Sequence, residues 1–101
     1  MSAVHHIAFL KFKPGTPEVK AAEIISELGR LPRLIGGIRD FSIGANNSPQ
    51  GLNQGYTHAF TMIFESAAAR DAYLVHPAHL AFERLALPHV AAVAVVDYSP
   101  E

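Results

Sequence analysis

The stretch from Val4 to Phe12 is rich in apolar residues and ends at Lys13-Pro14-Gly15-Thr16, which reads as a strand closed by a turn. Thr16-Pro17-Glu18 then predicts a helix start, with Thr16 as N-cap, Pro17 at the first helical position and an acid in the first turn. Ala21, Ile24, Ile25, Leu28 and Leu31 recur at helical spacing, Lys20, Glu23, Glu27 and Arg30 form the wet stripe, and Pro32 and Gly36-Gly37 mark the end. A short strand follows from Ile38 to Gly44, then a polar loop over residues 46–55 that is long for a hairpin. Tyr56 to Glu65 is the clearest strand, with Tyr56, His58, Phe60, Met62 and Phe64 on one side. Ser66 caps a helical stretch from Ala67 to Leu74, His76-Pro77 interrupts it, and a further helix runs from Pro77 to about Leu87, where Pro88 stops it. Val90 to Tyr98 is a last strand of Ala and Val. The order βαββαβ, with the second helix in two pieces, predicts a ferredoxin-like α+β sandwich: a four-stranded antiparallel sheet with its helices on one face.

Both faces of that sheet carry apolar residues. On the first strand Val4, His6, Ala8, Leu10 and Phe12 oppose His5, Ile7, Phe9 and Lys11; on the last, Ala92, Ala94 and Val96 oppose Ala91, Val93 and Val95. A sheet with one solvated face should alternate apolar and polar residues, and this one does not. The helices cover one face only, so the other is expected to pack on a second copy as a homodimer, a partly apolar open sheet being the alternative. At 101 residues the chain, residues 1–101, is the size of one domain. It has no Cys, which excludes disulfides, thiolate metal sites and a thiol nucleophile. A formal net charge of -1 argues against nucleic-acid binding. No apolar run reaches the ~20 residues of a membrane helix, so no membrane partner is expected. The opening Met-Ser-Ala-Val-His-His lacks the regions of a signal peptide, which makes the cytoplasm the expected compartment.

Six histidines against three lysines is an unusual balance for a soluble surface. His6 and His58 are expected on adjacent strands, facing the helices. Two imidazoles on an apolar face must be hydrogen-bonded as satisfied core residues or line a wet pocket that orients a small ligand. Several segments resemble the stress-responsive A/B barrel domain family, a group of dimeric α/β-barrel proteins that includes a plant polyketide cyclase. These are Lys11-Phe12-Lys13, Asn53-Gln54-Gly55-Tyr56-Thr57-His58, Phe64-Glu65-Ser66, Tyr73-Leu74-Val75-His76-Pro77-Ala78-His79 and Val96-Asp97-Tyr98. The resemblance spans essentially the whole chain and implies ferredoxin-like monomers whose sheets pair into a barrel. It also implies a catalytic pair at Tyr73 and His79, further pocket histidines at His6 and His58, and an aldol cyclisation that uses no metal or organic cofactor. The chain departs from the cyclase at Leu28, where the cyclase lines its pocket with an aromatic hydroxyl, and in its Ala-rich last strand. The substrate therefore does not carry over.

If the chain is an enzyme, His79 is placed to abstract a proton alpha to a carbonyl while the Tyr73 phenol stabilises the enolate. His79 would lie in the first turn of the last helix, whose positive dipole end favours the neutral, proton-accepting imidazole. His6, His58, Leu28 and Phe60 would line the substrate site, and the ligand would be a small apolar carbonyl or carboxylic compound. The alternative is a non-catalytic, stress-associated assembly protein with structural histidines and Tyr73 as a packing anchor. A zinc site built from His6, His58 and His79 is a weaker rival, because carboxylates are scarce on that face and HExxH spacing is absent. His76, before Pro77, is expected to act as a cap, and His5 and His89 to lie at the surface or interface. Asp97 and Tyr98 are expected at an edge hydrogen bond or a dimer contact. The 46–55 loop is expected to be a lid or an interface-wrapping arm.

Overall fold

The computed structural model describes residues 2–100. Its elements are β1 (Val4–Phe12), α1 (Glu18–Leu34), β2 (Ile38–Ala45), β3 (His58–Phe64), α2 (Ala67–Leu74), α3 (Pro77–Ala86), a 3₁₀ turn (Leu87–His89) and β4 (Val90–Tyr98). The strands form one antiparallel sheet in the order β2-β3-β1-β4, the expected ferredoxin-like α+β arrangement. β1 and β3 are its two central strands. Their alternation decides which side chains meet the helices: Val4, His6, Ala8 and Leu10, with Phe60, Met62 and Phe64, are buried beneath Ile24, Leu28, Leu31, Ile35 and Tyr73.

Three local expectations are corrected by packing. Thr16 does not cap α1; its hydroxyl and its N–H both donate to the Lys13 carbonyl, at 2.7 and 3.1 Å, closing the turn after β1. Pro17 takes the N-cap position with no side-chain bond. Pro32 does not end the helix, which continues to Leu34. A proline this close to the C-terminus removes one intrahelical bond, and burial of Leu31 and Ile35 on either side of it holds the last turn in place. The helix stops at Leu34, with Ile35 already extended, and the chain turns toward β2 at Gly37, where φ is +87° and an added Cβ would sit 2.7 Å from the Ala69 Cβ of α2. Tyr56 precedes β3 rather than continuing its inner face, and its ring lies 6.0 Å from that of Phe9 on the opposite side of the sheet.

The face away from the helices carries Ile7, Phe9, Ile63, Ala94 and Val96, among others, with Phe9 42% and Val96 62% exposed. The 46–57 loop folds along this face, where Leu52, Asn53, Gln54 and Tyr56 enclose a hollow with Phe9, Ala59 and Ala94. The loop thus lies against the open sheet face rather than over the helices.

Candidate functional site

α2 and α3 leave part of β4 uncovered: Val93 and Val95 lie on the helix side of the sheet yet are 49% and 51% exposed. A cavity of about 300 Å³ opens there between sheet and helices. β1 contributes His6, Ala8 and Leu10; β3 contributes Phe60; β4 contributes Val93 and Val95. Ile24 and Leu28 of α1, Tyr73 of α2, and His79, Phe82, Glu83 and Ala86 of α3 complete most of the wall. Among the described residues only His6, Tyr73, His79 and Glu83 bring polar side chains to an otherwise apolar wall, a constitution common in small-molecule sites.

His6 is 5% exposed and sits directly across from Asp97 in the β1–β4 register. Its Nδ1 lies 2.7 Å from Asp97 Oδ1, while Asp97 Oδ2 accepts from Arg70 of α2 at 2.9 Å. The Arg70 Nε donates to Asp71 at 2.8 Å, and its two carboxylate partners, Asp71 first and then Asp97, hold the guanidinium pKa above its ordinary value. A carboxylate accepts, so His6 donates from Nδ1 and leaves Nε2 as the free ring nitrogen. Among the described residues no side-chain nitrogen or oxygen is sealed from solvent without a partner, so His6 Nε2 is open to the cavity that its ring lines. Asp97 thus lies on the helix-covered side of edge strand β4, where it joins His6 to Arg70, while Tyr98 turns to the other face beside His5.

Tyr73 is the largest fully buried side chain, 2% exposed. Its ring is held between Phe64, His6 and His79, at centroid distances of 5.1, 5.9 and 4.3 Å. The hydroxyl has no protein hydrogen-bond partner among the described residues, and by the same reasoning it too reaches the cavity. Burial, aided by the nearby Glu83 carboxylate, pushes the phenol pKa well above the ordinary range, so at neutral pH the group is a hydrogen-bond donor.

The chain breaks between α2 and α3 so that His79 returns against Tyr73. His76 caps α3, its Nδ1 accepting the Ala78 N–H at 3.0 Å, and Pro77 opens the helix. His79 follows in the first turn, with Nδ1 at 3.3 Å from the Leu74 carbonyl and 3.9 Å from Glu83 Oε1. A carbonyl only accepts, so Nδ1 carries the proton and the neutral ring keeps its lone pair on Nε2.

Of the residues nominated from sequence, His6, Leu28, Phe60, Tyr73 and His79 line one cavity. His58 does not. It lies at the end of β3, paired with the Thr57 hydroxyl at 2.9 Å and packed edge-on to Phe12, and it borders the hollow under the 46–57 loop. His6, His58 and His79 therefore do not converge, and among the described residues no group of three or more His, Asp or Glu side chains is placed to hold a metal ion. Two cavity features escape a reading of the sequence. Glu83 follows His79 by four residues, a spacing visible in the chain. The Arg70–Asp97–His6 series depends on the register of β1 against β4 and on the placement of α2, which no local pattern carries.

The fold is a ferredoxin-like α+β sandwich with an apolar cavity between sheet and helices. Residues 4–100 match the model of the Stress responsive A/B Barrel Domain, and the chain belongs to that family. It is similar to the stress-response A/B barrel domain-containing protein HS1 of Arabidopsis thaliana, with 38% identity over 97 residues, 96% of this chain and 89% of the relative. It is also similar to olivetolic acid cyclase of Cannabis sativa, with 30% identity over 98 residues and 97% of each chain covered. Among solved structures, that of At3g17210 from Arabidopsis thaliana superposes with a TM-score of 0.91 at 38% identity, covering 97% of this chain and 95% of the other. A hydroxynitrile lyase from Passiflora edulis shares the fold at TM-score 0.92 and 24% identity, covering 99% of this chain and 94% of the other. A dimeric ferredoxin-like protein of unknown function from Jannaschia sp. CCS1 does so at TM-score 0.83 and 24% identity, covering 95% and 97%.

Proposed function

We propose that this protein is a homodimer whose cavity carries out cofactor-independent acid–base chemistry on a carbonyl compound, as a cyclase or lyase. The observation that carries the reading is the contact of the Tyr73 and His79 rings, tilted by 37° with centroids 4.3 Å apart, in the wall of an apolar cavity. His79 Nε2 takes a proton from the carbon alpha to the substrate carbonyl. The electron pair left behind moves onto the carbonyl oxygen, where the Tyr73 hydroxyl donates a hydrogen bond to the enolate. In a cyclisation the enolate carbon bonds to a second carbonyl of the same molecule, and the resulting alkoxide recovers the proton from the His79 imidazolium. Run in reverse, the same steps cleave the carbon–carbon bond. His6 offers Nε2 as a second polar contact, while Leu28 and Phe60 shape the apolar wall. Membership of a family with olivetolic acid cyclase as a relative supports the chemistry. Apolar residues on the open sheet face and a dimeric structural neighbour support the homodimer.

Phenylacetone, with a methylene flanked by ring and ketone, provides the test. In deuterated buffer the wild type is expected to speed loss of its α-proton NMR signal over the buffer rate, and His79→Ala to abolish that acceleration. An exchange rate unaffected by the protein, or by the substitution, overturns the proposal. One observation favours the second reading, a non-catalytic protein with structural histidines: His6 is tied through Asp97 to Arg70, joining β1, β4 and α2.

A further inference from the structure

We infer that Glu83 sets the charge specificity of the cavity, which admits neutral ketones and aldehydes and turns away carboxylates. The inference rests on the carbonyl-compound reading above and narrows its substrate class. Glu83 is a wall residue with its side chain 40% exposed, whereas Leu28 on the same wall is buried, so its carboxylate stands at the rim that an entering ligand passes. Among the described residues no Lys or Arg lines the cavity. Arg84, next in the helix, lines not the cavity but a shallow outer depression that Glu83 also borders, and Arg70 is engaged by Asp71 and Asp97.

The imidazoles offer an anion no free positive charge either, because each already faces a carboxylate. His6 Nδ1 is 2.7 Å from Asp97 and His79 Nδ1 is 3.9 Å from Glu83. A ligand carboxylate entering this apolar space would lose its hydration and gain no cationic partner, with a like charge at the entrance. A ketone oxygen carries no charge to desolvate and needs only a donor, which the unpartnered Tyr73 hydroxyl provides. Because Glu83 is partly exposed, its field is screened, and the discrimination it contributes is moderate.

Acetophenone and benzoate are near-isosteric and differ in a methyl group against a charged oxygen, which makes them suitable probes. Titrated into the intact protein and followed by the NMR shifts of Tyr73, His79 and Phe82, acetophenone is expected to bind at least about tenfold more tightly than benzoate. Glu83→Gln, which keeps the shape but not the charge, is expected to narrow that ratio by about threefold, and Glu83→Lys to reverse the order. Benzoate binding the wild type as tightly as acetophenone, or a ratio unmoved by Glu83→Gln, overturns the inference and leaves the carbonyl-site reading standing. Failure of acetophenone to shift any cavity residue overturns both.

Discussion

Replacing Tyr73 with Phe separates what the ring does from what the hydroxyl does. The ring is fully buried against Phe64, His6 and His79, and removing it would cost the 3–5 kcal/mol or so typical of an aromatic-to-alanine change, enough to threaten the fold. The hydroxyl contributes no protein hydrogen bond among the described residues, so the Phe variant loses no such bond and escapes part of the cost of burying a polar group, about 1–3 kcal/mol when it is fully unsatisfied. Stability should stay level or rise by up to about 1 kcal/mol, a melting-temperature increase of no more than about 4–8 °C for a domain of this size. Catalysed α-proton exchange of phenylacetone should fall by about 10²–10³, the usual loss when one oxyanion donor is removed. Thermal denaturation and NMR exchange on the same sample test both halves. A variant that melts well below the wild type while exchanging protons normally would make Tyr73 a structural anchor and refute the mechanism. The pH dependence gives a second reading. Burial raises the folded-state phenol pKa above its unfolded value of about 10, so Tyr73's contribution to stability is complete below about pH 10 and is lost as pH rises through the folded-state value. Tyr73→Phe should flatten that alkaline loss.

Three further outcomes follow from the packing. Asp97→Ala strips His6 and Arg70 of a shared acceptor and should cost about 1–3 kcal/mol in urea denaturation, whereas loss of an ordinary surface carboxylate would leave the midpoint unchanged. Gly37→Ala sets a Cβ 2.7 Å from that of Ala69 at a positive φ and should destabilise by at least about 1 kcal/mol; a neutral result would mean that α2 is free to move away. Phe9→Lys puts a charge on the open face of β1, twice over in a symmetric dimer, and should shift sedimentation from dimer to monomer with unchanged far-ultraviolet circular dichroism. A wild type that sediments as a monomer would remove the homodimer.

The framework of this site was legible from periodicity and capping signals, whereas the pairing of Tyr73 with His79 came from the family resemblance. The alternation of β1 puts His6 among Val4, Ala8 and Leu10, and the Ser66 and His76 caps with Pro77 announce the broken helix that turns His79 back on Tyr73. Where the reading failed, tertiary packing overrode a local signal. Pro32 resembles a helix stop until burial of Leu31 and Ile35 carries the turn past it. His58 keeps the parity of Phe60 but stands at the strand end, beyond the reach of the cavity, which parity cannot reveal. Asp97 meets His6 only through strand register, and sequence separation hides a contact of that kind entirely.

The central claim is that Tyr73 and His79 act as one unit on one bound molecule. A double-mutant cycle on protein-catalysed phenylacetone exchange tests it most directly, with wild type, Tyr73→Phe, His79→Ala and the double variant compared. If the phenol stabilises an enolate that only His79 can generate, the double variant will be no slower than His79→Ala alone. Rate losses that simply multiply would show two residues working independently and would contradict the account.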